Sequence, residues 1–128
     1  MDSADLAIQA AVRTKLLTAL SVGVYDQSPR QSKLPYVTIG EPDILPFNTK
    51  TWDGTEAGVI VHVWSASDSP SEGRGIAETC VNTLHNSTLS IGSRYEFVAC
   101  RFSTQGTIIQ PDGVRHTVCR FRVLVKEA

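Results

Sequence analysis

The chain has 128 residues, of which 41% are hydrophobic, and its 12 Lys and Arg against 13 Asp and Glu give a formal net charge of −1 at pH 7. This composition is typical of a soluble globular protein and excludes one that coats nucleic acid through a general positive charge. No apolar run approaches the roughly 20 residues that span a bilayer. The acidic start lacks the pattern of a secretory signal peptide, so export by that route is not expected. The length predicts one domain over residues 1–128.

The cysteines are odd in number and widely spaced, which favours reduced core residues over a disulfide framework. They are Cys80, Cys100 and Cys119. The Cys-x-x-Cys pairs typical of zinc sites are absent from the sequence, and the histidines are equally scattered. The sequence therefore predicts neither a metal site nor a cofactor.

The first helix is predicted over Asp2–Leu20, because its apolar residues recur at three-, four- and seven-residue spacings. The main stripe is Leu6, Ala10, Leu17 and Leu20, widened by Ile8, Val12 and Leu16. Gly23 is placed to end the helical region in a left-handed conformation. Val24 and Tyr25 then predict a short extended piece, followed by a polar, turn-rich segment over residues 26–33.

A strand is predicted over Leu34–Gly40, entered through a proline, and Glu41–Thr55 is predicted to be a long connection. Long connections inside compact domains are often functional, and exposed aromatic residues are typical of protein interfaces. Phe47 and Trp52 in this connection therefore either contact a partner or fold back and cap the core.

The segment Ala57–Ala66 has apolar side chains at both parities and no proline, which predicts a central strand covered on both faces. A helix follows it directly. Ser69 is the predicted N-cap, Pro70 the first helical residue, and Glu72 the partner in a capping box.

The apolar face of this second helix is predicted to comprise Ile76, Ala77, Cys80 and Leu84. Gly73 and Gly75 weaken its first turns and allow a close approach to the sheet. The glycines do not form a phosphate-binding loop, since neither the Lys-Ser/Thr ending nor the Gly-x-Gly-x-x-Gly pattern is present.

Two long strands, Arg94–Ser103 and Val114–Val125, are predicted to end the fold. They are antiparallel if residues 104–113 join them, and Thr107–Ile109 is a candidate extension of the first.

The last strand alternates between apolar and polar side chains. Its core face is predicted to carry Thr117, Cys119, Phe121, Val123 and Val125, and its other face His116, Arg120, Arg122 and Lys126. That basic face is either solvated or an interface in which Arg120 and Arg122 pair with carboxylates. Arg101 on the preceding strand is a further interface candidate.

Catalysis requires a nucleophile, a base and an orienting group, and neither Gly-x-Ser-x-Gly nor His-Glu-x-x-His is present. His62, beside Trp64 in the central strand, is expected to be a hydrogen-bonded core histidine. Two helices on a small antiparallel sheet are also the architecture of the RRM domain, although Val118–Arg122 lacks its aromatic motif. The sequence predicts no enzyme and leaves open a monomeric ligand- or RNA-binding module.

The order of the segments resembles a family of small tail-completion or tail-terminator proteins of tailed phages, prophages and gene transfer agents. The N-terminal helix and four segments after it carry the resemblance: Leu34–Gly40 (Leu-Pro-Tyr-Val-Thr-Ile-Gly), Val61–Ser65 (Val-His-Val-Trp-Ser), the helix that bears Glu72, and Asp112–Val118. The resemblance implies an α+β fold in which both helices pack on one face of a mainly antiparallel sheet.

The resemblance also implies a homo-hexameric ring that caps the tail tube protein and joins it to the head-side connector, within a virion assembled in the host cytoplasm. It implies no catalytic residues, cofactor or membrane contact, and DNA that passes through the ring without specific binding. A head-to-tail ring needs two different patches on each subunit. The candidates are the Glu41–Thr55 connection, with Phe47 and Trp52, and the basic face of the last strand.

Overall fold

The computed structural model describes residues 4–26, 33–66, 68 and 70–127. In chain order the elements are α1 (Asp5–Ala19), β1 (Gly23–Tyr25), β2 (Tyr36–Ile39), β3 (Asp43–Pro46), β4 (Gly54–Ala66), α2 (Pro70–Leu84), β5 (Tyr95–Ile109) and β6 (Val114–Glu127). The predicted turn-rich segment lies, apart from its two end residues, outside the described residues. The candidate extension Thr107–Ile109 is indeed part of β5.

The sheet has six strands in the order β1–β2–β4–β6–β5, and β3 pairs with the first residues of β4. β1 and β2 pair in parallel, whereas the other pairings of the described strands are antiparallel. β4 is therefore central, as predicted, and it pairs along its whole length with β6. The mainly antiparallel α+β class that the sequence predicted is confirmed.

Both helices pack on the same face of the sheet and form one hydrophobic cluster with it. Alternate residues of the two central strands are buried beneath the helices: Ala57, Val59, Val61, Val63, Thr117, Cys119, Phe121, Val123 and Val125. Phe121 is the largest of the fully buried side chains, and its ring meets that of Phe102 at 5.9 Å between centroids. The predicted division of β6 into a core face and an outward face is correct.

The prediction that β4 is covered on both faces is wrong. Its second face carries Ile60, His62 and Trp64, which are only half-buried, and neither of the described helices lies over them. The reason is that these large side chains shield one another across neighbouring strands. Apolar residues at both parities of a strand therefore do not require a second covering layer.

α1 turns its predicted main stripe outward, which corrects that prediction. Ile8, Val12 and Leu16 are buried, whereas Leu6 is 74% exposed and Leu17 is 47% exposed. The helix carries apolar residues on nearly all sides, so two different stripes satisfy the helical period. The row at spacings of four residues is the one that reaches the sheet.

Gly23 does not end α1 in a left-handed conformation, contrary to prediction. The helix ends at Ala19, and Leu20 has an extended backbone with φ −103° and ψ 144°. Gly23 is instead the first residue of β1, where the ring of Tyr25 lies against it.

A short strand, β3, lies inside the Glu41–Thr55 segment that was predicted to be a connection. Its four residues pair with residues 55–58 of β4, and the Phe47 N–H donates to the Gly54 carbonyl at 2.9 Å to close the turn. Pro42 stands before this strand and Pro46 is its last residue. Proline is tolerated there because a strand end does not need the missing N–H.

α2 begins at Pro70 as predicted, although the proposed N-cap Ser69 lies outside the described residues. Its buried residues include Ala77, Cys80 and Leu84, as expected. A Cβ on Gly73 would overlap the Ser65 hydroxyl, so this glycine does permit a close approach to β4. Gly75 has no neighbouring atom within 4 Å of its Cβ position, so the same reason does not apply to it.

All three cysteines are free and buried, as predicted. Burial raises the pKa of the Cys80 thiol to about 12, and the pKa values of Cys100 and Cys119 to about 11. These thiols stay protonated at neutral pH, and a protonated thiol is neither a strong nucleophile nor a metal ligand.

Candidate interaction surface

The face of the sheet opposite the helices, here called the open face, brings together polar and aromatic side chains from four strands. Cross-strand pairing places every second residue of each strand on this face. They are Tyr36, Thr38, Ile60, His62, Trp64, Arg101, His116, Val118, Arg120 and Arg122. Four of the six predicted interface residues, Arg101, His116, Arg120 and Arg122, therefore share one surface.

A column of stacked rings crosses the open face from β1 to β6. The rings of Trp64 and His116 lie 3.9 Å apart between centroids at an interplanar angle of 7°, and Tyr36 stacks beyond Trp64 at 6.3 Å and 27°. Rings that stack across neighbouring strands stand upright on the sheet, so that their edges point to solvent. Nucleic-acid platforms instead expose ring faces to bases. The stacking in this column therefore leaves the RNA-binding alternative without its usual physical basis.

One hydrogen bond and one edge-on ring contact hold the column in place. The indole Nε1 of Trp64 donates to the Thr38 hydroxyl at 2.9 Å, and the Tyr25 ring meets the Tyr36 ring edge-on at 6.3 Å. Thr38 is only 5% exposed, so this bond is protected from water. A rigid, half-buried aromatic group of this kind is typical of the residues that dominate protein interfaces.

His62 and His116 form a direct pair on the open face. Nδ1 of His62 and Nε2 of His116 are 2.6 Å apart, so that one nitrogen donates a hydrogen bond and the other accepts it. Burial, the neighbouring His116 and Arg120 lower the pKa of His62, and burial lowers the pKa of His116. The sequence prediction of a hydrogen-bonded core histidine is thus right about the hydrogen bond. It is wrong about the core, because His62 is only half-buried and lies on the open face.

The histidine pair makes stability depend on pH in a defined direction. Because the folded protein holds both pKa values below 6.5, the unfolded chain binds more protons in mildly acidic solution. The contribution of the pair to the free energy of unfolding should therefore be fully present above about pH 7 and be lost as the pH drops through the folded-state pKa values. For each ring the loss should be less than about 1.4 kcal/mol per pH unit, because solvent screens both rings.

We expect urea titrations between pH 8 and pH 5 to show this loss, and the His116→Phe variant to lose part of it. Phenylalanine keeps a ring against Trp64 but takes away one titrating group and the partner that lowers the pKa of His62. An identical pH dependence in the wild type and the variant would show that the pair does not cause it.

Two of the four cationic side chains predicted on this side of the sheet are paired with carboxylates, and a third has only a neutral hydrogen-bond partner. Arg122 donates to the Glu56 carboxylate at 3.0 Å, Lys126 lies 3.3 Å from that of Glu96, and Arg101 donates to the Asn86 amide oxygen at 3.4 Å. Arg120 pairs through its backbone with β4 and β5, but its side chain has no hydrogen bond or ion pair within the described residues. The charges on this side that lack a carboxylate partner in the described part of the chain are therefore those of Arg101 and Arg120, and Arg120 also lacks a hydrogen-bond partner for its side chain there.

Arg120 lies at the side of a shallow cavity of about 210 Å³ between β3, β4 and β6. Leu45 of β3, which is 55% exposed, also lines this cavity, together with Asp43 and Glu56. An unpaired guanidinium beside an exposed apolar side chain can hold a carboxylate and bury an adjoining aliphatic group at once. Leu45 belongs to the Glu41–Thr55 connection that the sequence offered as an interface, although β3 itself was not predicted.

Phe47 and Trp52 lie at the turn between β3 and β4 and contact each other, with ring centroids 6.0 Å apart. Trp52 folds back: it covers Gly54 and lies under the Lys126 ammonium, 5.8 Å from its ring centroid. Phe47 is 41% exposed. Each of the two alternatives left open by the sequence therefore applies to one of these residues. Trp52 folds back onto its own chain, and Phe47 is available to a partner.

Within the described residues, no three metal-binding side chains lie close enough together to hold an ion. Neither described helix has the length and hydropathy needed to cross a membrane.

Comparison with known proteins places the chain in a family. The family model described as "Tail completion protein gp17" matches residues 4–126. The chain belongs to this family. Membership confirms the resemblance that the order of the segments indicated, identifies the chain as a tail completion protein, and points to a structural role and not a catalytic one.

The fold agrees with a solved structure. A chain of the structure titled "Virion of native gene transfer agent (GTA) particle" is 22% identical and superimposes with a TM-score of 0.84, with 98% of this chain and 99% of that chain covered. At this identity the likeness shows the shared fold. No curated protein matches the chain.

Proposed function

We propose that this tail completion protein forms a homo-hexameric ring that caps the tail tube and joins it to the head-side connector of a phage-like particle. The observation that carries the proposal is the family match over residues 4–126. The similar chain in a gene transfer agent virion, which has the same fold from end to end, supports a place in such a particle.

The two-layer architecture supplies the two different patches that a head-to-tail ring requires. The open face, with Arg120, lies on one side of the sheet. The outer surface of α1, with Leu6 and Leu17 exposed, lies on the other side. We propose that such opposed surfaces join neighbouring subunits. The exposed Phe47 at the β3–β4 turn would then be free to contact the tail tube or the connector.

The charge balance supports a channel through which DNA passes without being bound. A net charge of −1 and an open face on which ion pairs neutralise Arg122 and Lys126 give a passing duplex little to bind. Affinity for DNA comes mainly from unpaired Lys and Arg that neutralise phosphates. The same balance favours a structural ring over the alternative of a monomeric RNA-binding module.

The proposal is tested by electron microscopy of particles made without this gene. We expect unjoined heads and tails, with tails of irregular or excessive length, because the tube would lack its cap. Expression of the wild-type chain from a plasmid should restore joined particles. Normally joined particles of uniform tail length in the deletion strain would reject the role, and a purified chain that binds RNA as a stable monomer would favour the alternative.

A further inference from the structure

β5 has an open edge that its own fold leaves uncovered. β6 pairs with β5 on one side, and no described strand pairs with the other side. All seven residues from 103 to 109 are exposed. We call residues 103–109 the free edge of β5. A strand with only one neighbour presents a row of unpaired N–H and C=O groups along its other side.

The protein does cover the earlier part of the same edge. The Asn86 N–H donates to the Cys100 carbonyl at 2.8 Å, and the Phe102 N–H donates to Nδ1 of His85 at 2.9 Å. The ladder with β6 then shifts register between Phe102 and Thr104. Coverage by the chain itself therefore ends where the free edge begins.

Beyond the register shift at its start, the free edge lacks the residues by which proteins protect such strands. Charged residues, above all lysine, and prolines normally block an exposed edge. The sequence of residues 103–109 is Ser-Thr-Gln-Gly-Thr-Ile-Ile, which contains neither. Ile108 and Ile109 are each 60% exposed, and they point to opposite faces because side chains alternate along a strand.

We propose that the free edge of β5 binds an extended, uncharged segment of another protein of the particle, which adds a strand to the sheet. Backbone groups in a row are matched only by another extended backbone, and the two isoleucines supply apolar contacts on both sides of it. The inference rests on the proposed function, since it takes its partner from the particle.

A second copy of the chain fits this edge less well. The other free strands of the described sheet, β1 and β3, have three and four residues, and β3 ends in a proline. Each is too short to cover seven residues. Two copies paired through β5 would form a closed two-fold pair, which does not propagate into a ring.

The test is hydrogen–deuterium exchange of the purified chain and of the chain within isolated particles. We expect amides of residues 103–109 to exchange at least about tenfold more slowly in the particle, whereas a bound segment elsewhere would leave them unchanged.

The double variant Ile108→Lys with Ile109→Lys should reduce the number of joined particles. Val98→Lys introduces one lysine at an exposed position of β5 that precedes the free edge, and it should not.

A photo-cross-linking amino acid at position 109 identifies the occupant. A cross-link to a different particle protein, together with the slowed exchange, would support the inference, and a cross-link to a second copy would overturn it. Rapid exchange of the free edge in particles that contain the chain would also overturn it and leave the ring proposal intact. Particles that lack the chain altogether would overturn both.

Discussion

The Gly73→Ala variant should lower the free energy of unfolding by about 2 kcal/mol, although alanine is normally the better helix former. The added Cβ would overlap the Ser65 hydroxyl and lie 3.1 Å from the Ser65 Cβ, in a buried contact between α2 and β4. Packed interiors relieve such overlap only by moving side chains or backbone. Urea unfolding with an unchanged m-value would report this as a loss of stability.

Gly75→Ala is the matched control for this experiment. It lies in the same helix two residues later, where a Cβ meets open space. The variant should therefore gain about 0.5–1 kcal/mol from helix propensity alone. If both alanine variants changed stability in the same direction by the same amount, the contact with the sheet would not be the cause.

Ser65→Ala tests the other side of the same contact. The Ser65 hydroxyl is buried without a hydrogen-bond partner in the described part of the chain. Its removal should be neutral or stabilising, and Gly73→Ala should cost less in that background because the overlapping oxygen is gone. This coupling would be read from a double-mutant cycle.

The parts of this fold that could be predicted are those in which residues close together in the sequence determine the local structure. Pro70 and Glu72 predicted where α2 begins, and the strict alternation of β6 predicted both of its faces. Because β6 pairs along all of β4, that alternation also fixes which residues of β4 face the helices. Local signals were enough for these elements.

The errors arose where two arrangements satisfied the same local pattern. Leu6 and Ile8 both belong to apolar stripes of α1, and only packing against the sheet decides that Ile8 is buried. His62 and Trp64 have the pattern of a doubly covered strand, yet their cover comes from Tyr36 and His116 on neighbouring strands. Such cover depends on the pairing register between strands that are distant in the sequence, and local patterns do not reveal that register.

The candidate surface shows the same limit. His116 and Arg120 were identified from alternation alone, and Arg101 shares their face as required for one interface. The pairing of Arg122 with Glu56 was not foreseen, because 66 residues separate them. The sequence therefore predicted which side chains face outward and overestimated how many of their charges are free.

Arg120→Glu is expected to abolish the joining of heads to tails while leaving the fold intact. Arg120 is the exposed arginine of the open face that has no partner among the described residues, so reversal of its charge would repel any carboxylate that the assembled particle places there. Particle yield and electron microscopy measure joining, and circular dichroism with urea unfolding should show less than about 0.5 kcal/mol of lost stability, as for other exposed substitutions.

Two controls separate an interface from a general effect of charge. Arg74→Glu makes the same change on an exposed position of α2, beyond the other face of the sheet, and should leave joining normal. Arg122→Gln removes a charge that Glu56 already neutralises and should weaken joining less than Arg120→Glu does. Loss of joining in the Arg74→Glu variant to the same extent would show that net charge is the cause. Normal particles from the Arg120→Glu variant would instead remove Arg120 from the assembly interface, because a reversed charge cannot hold the carboxylate expected there.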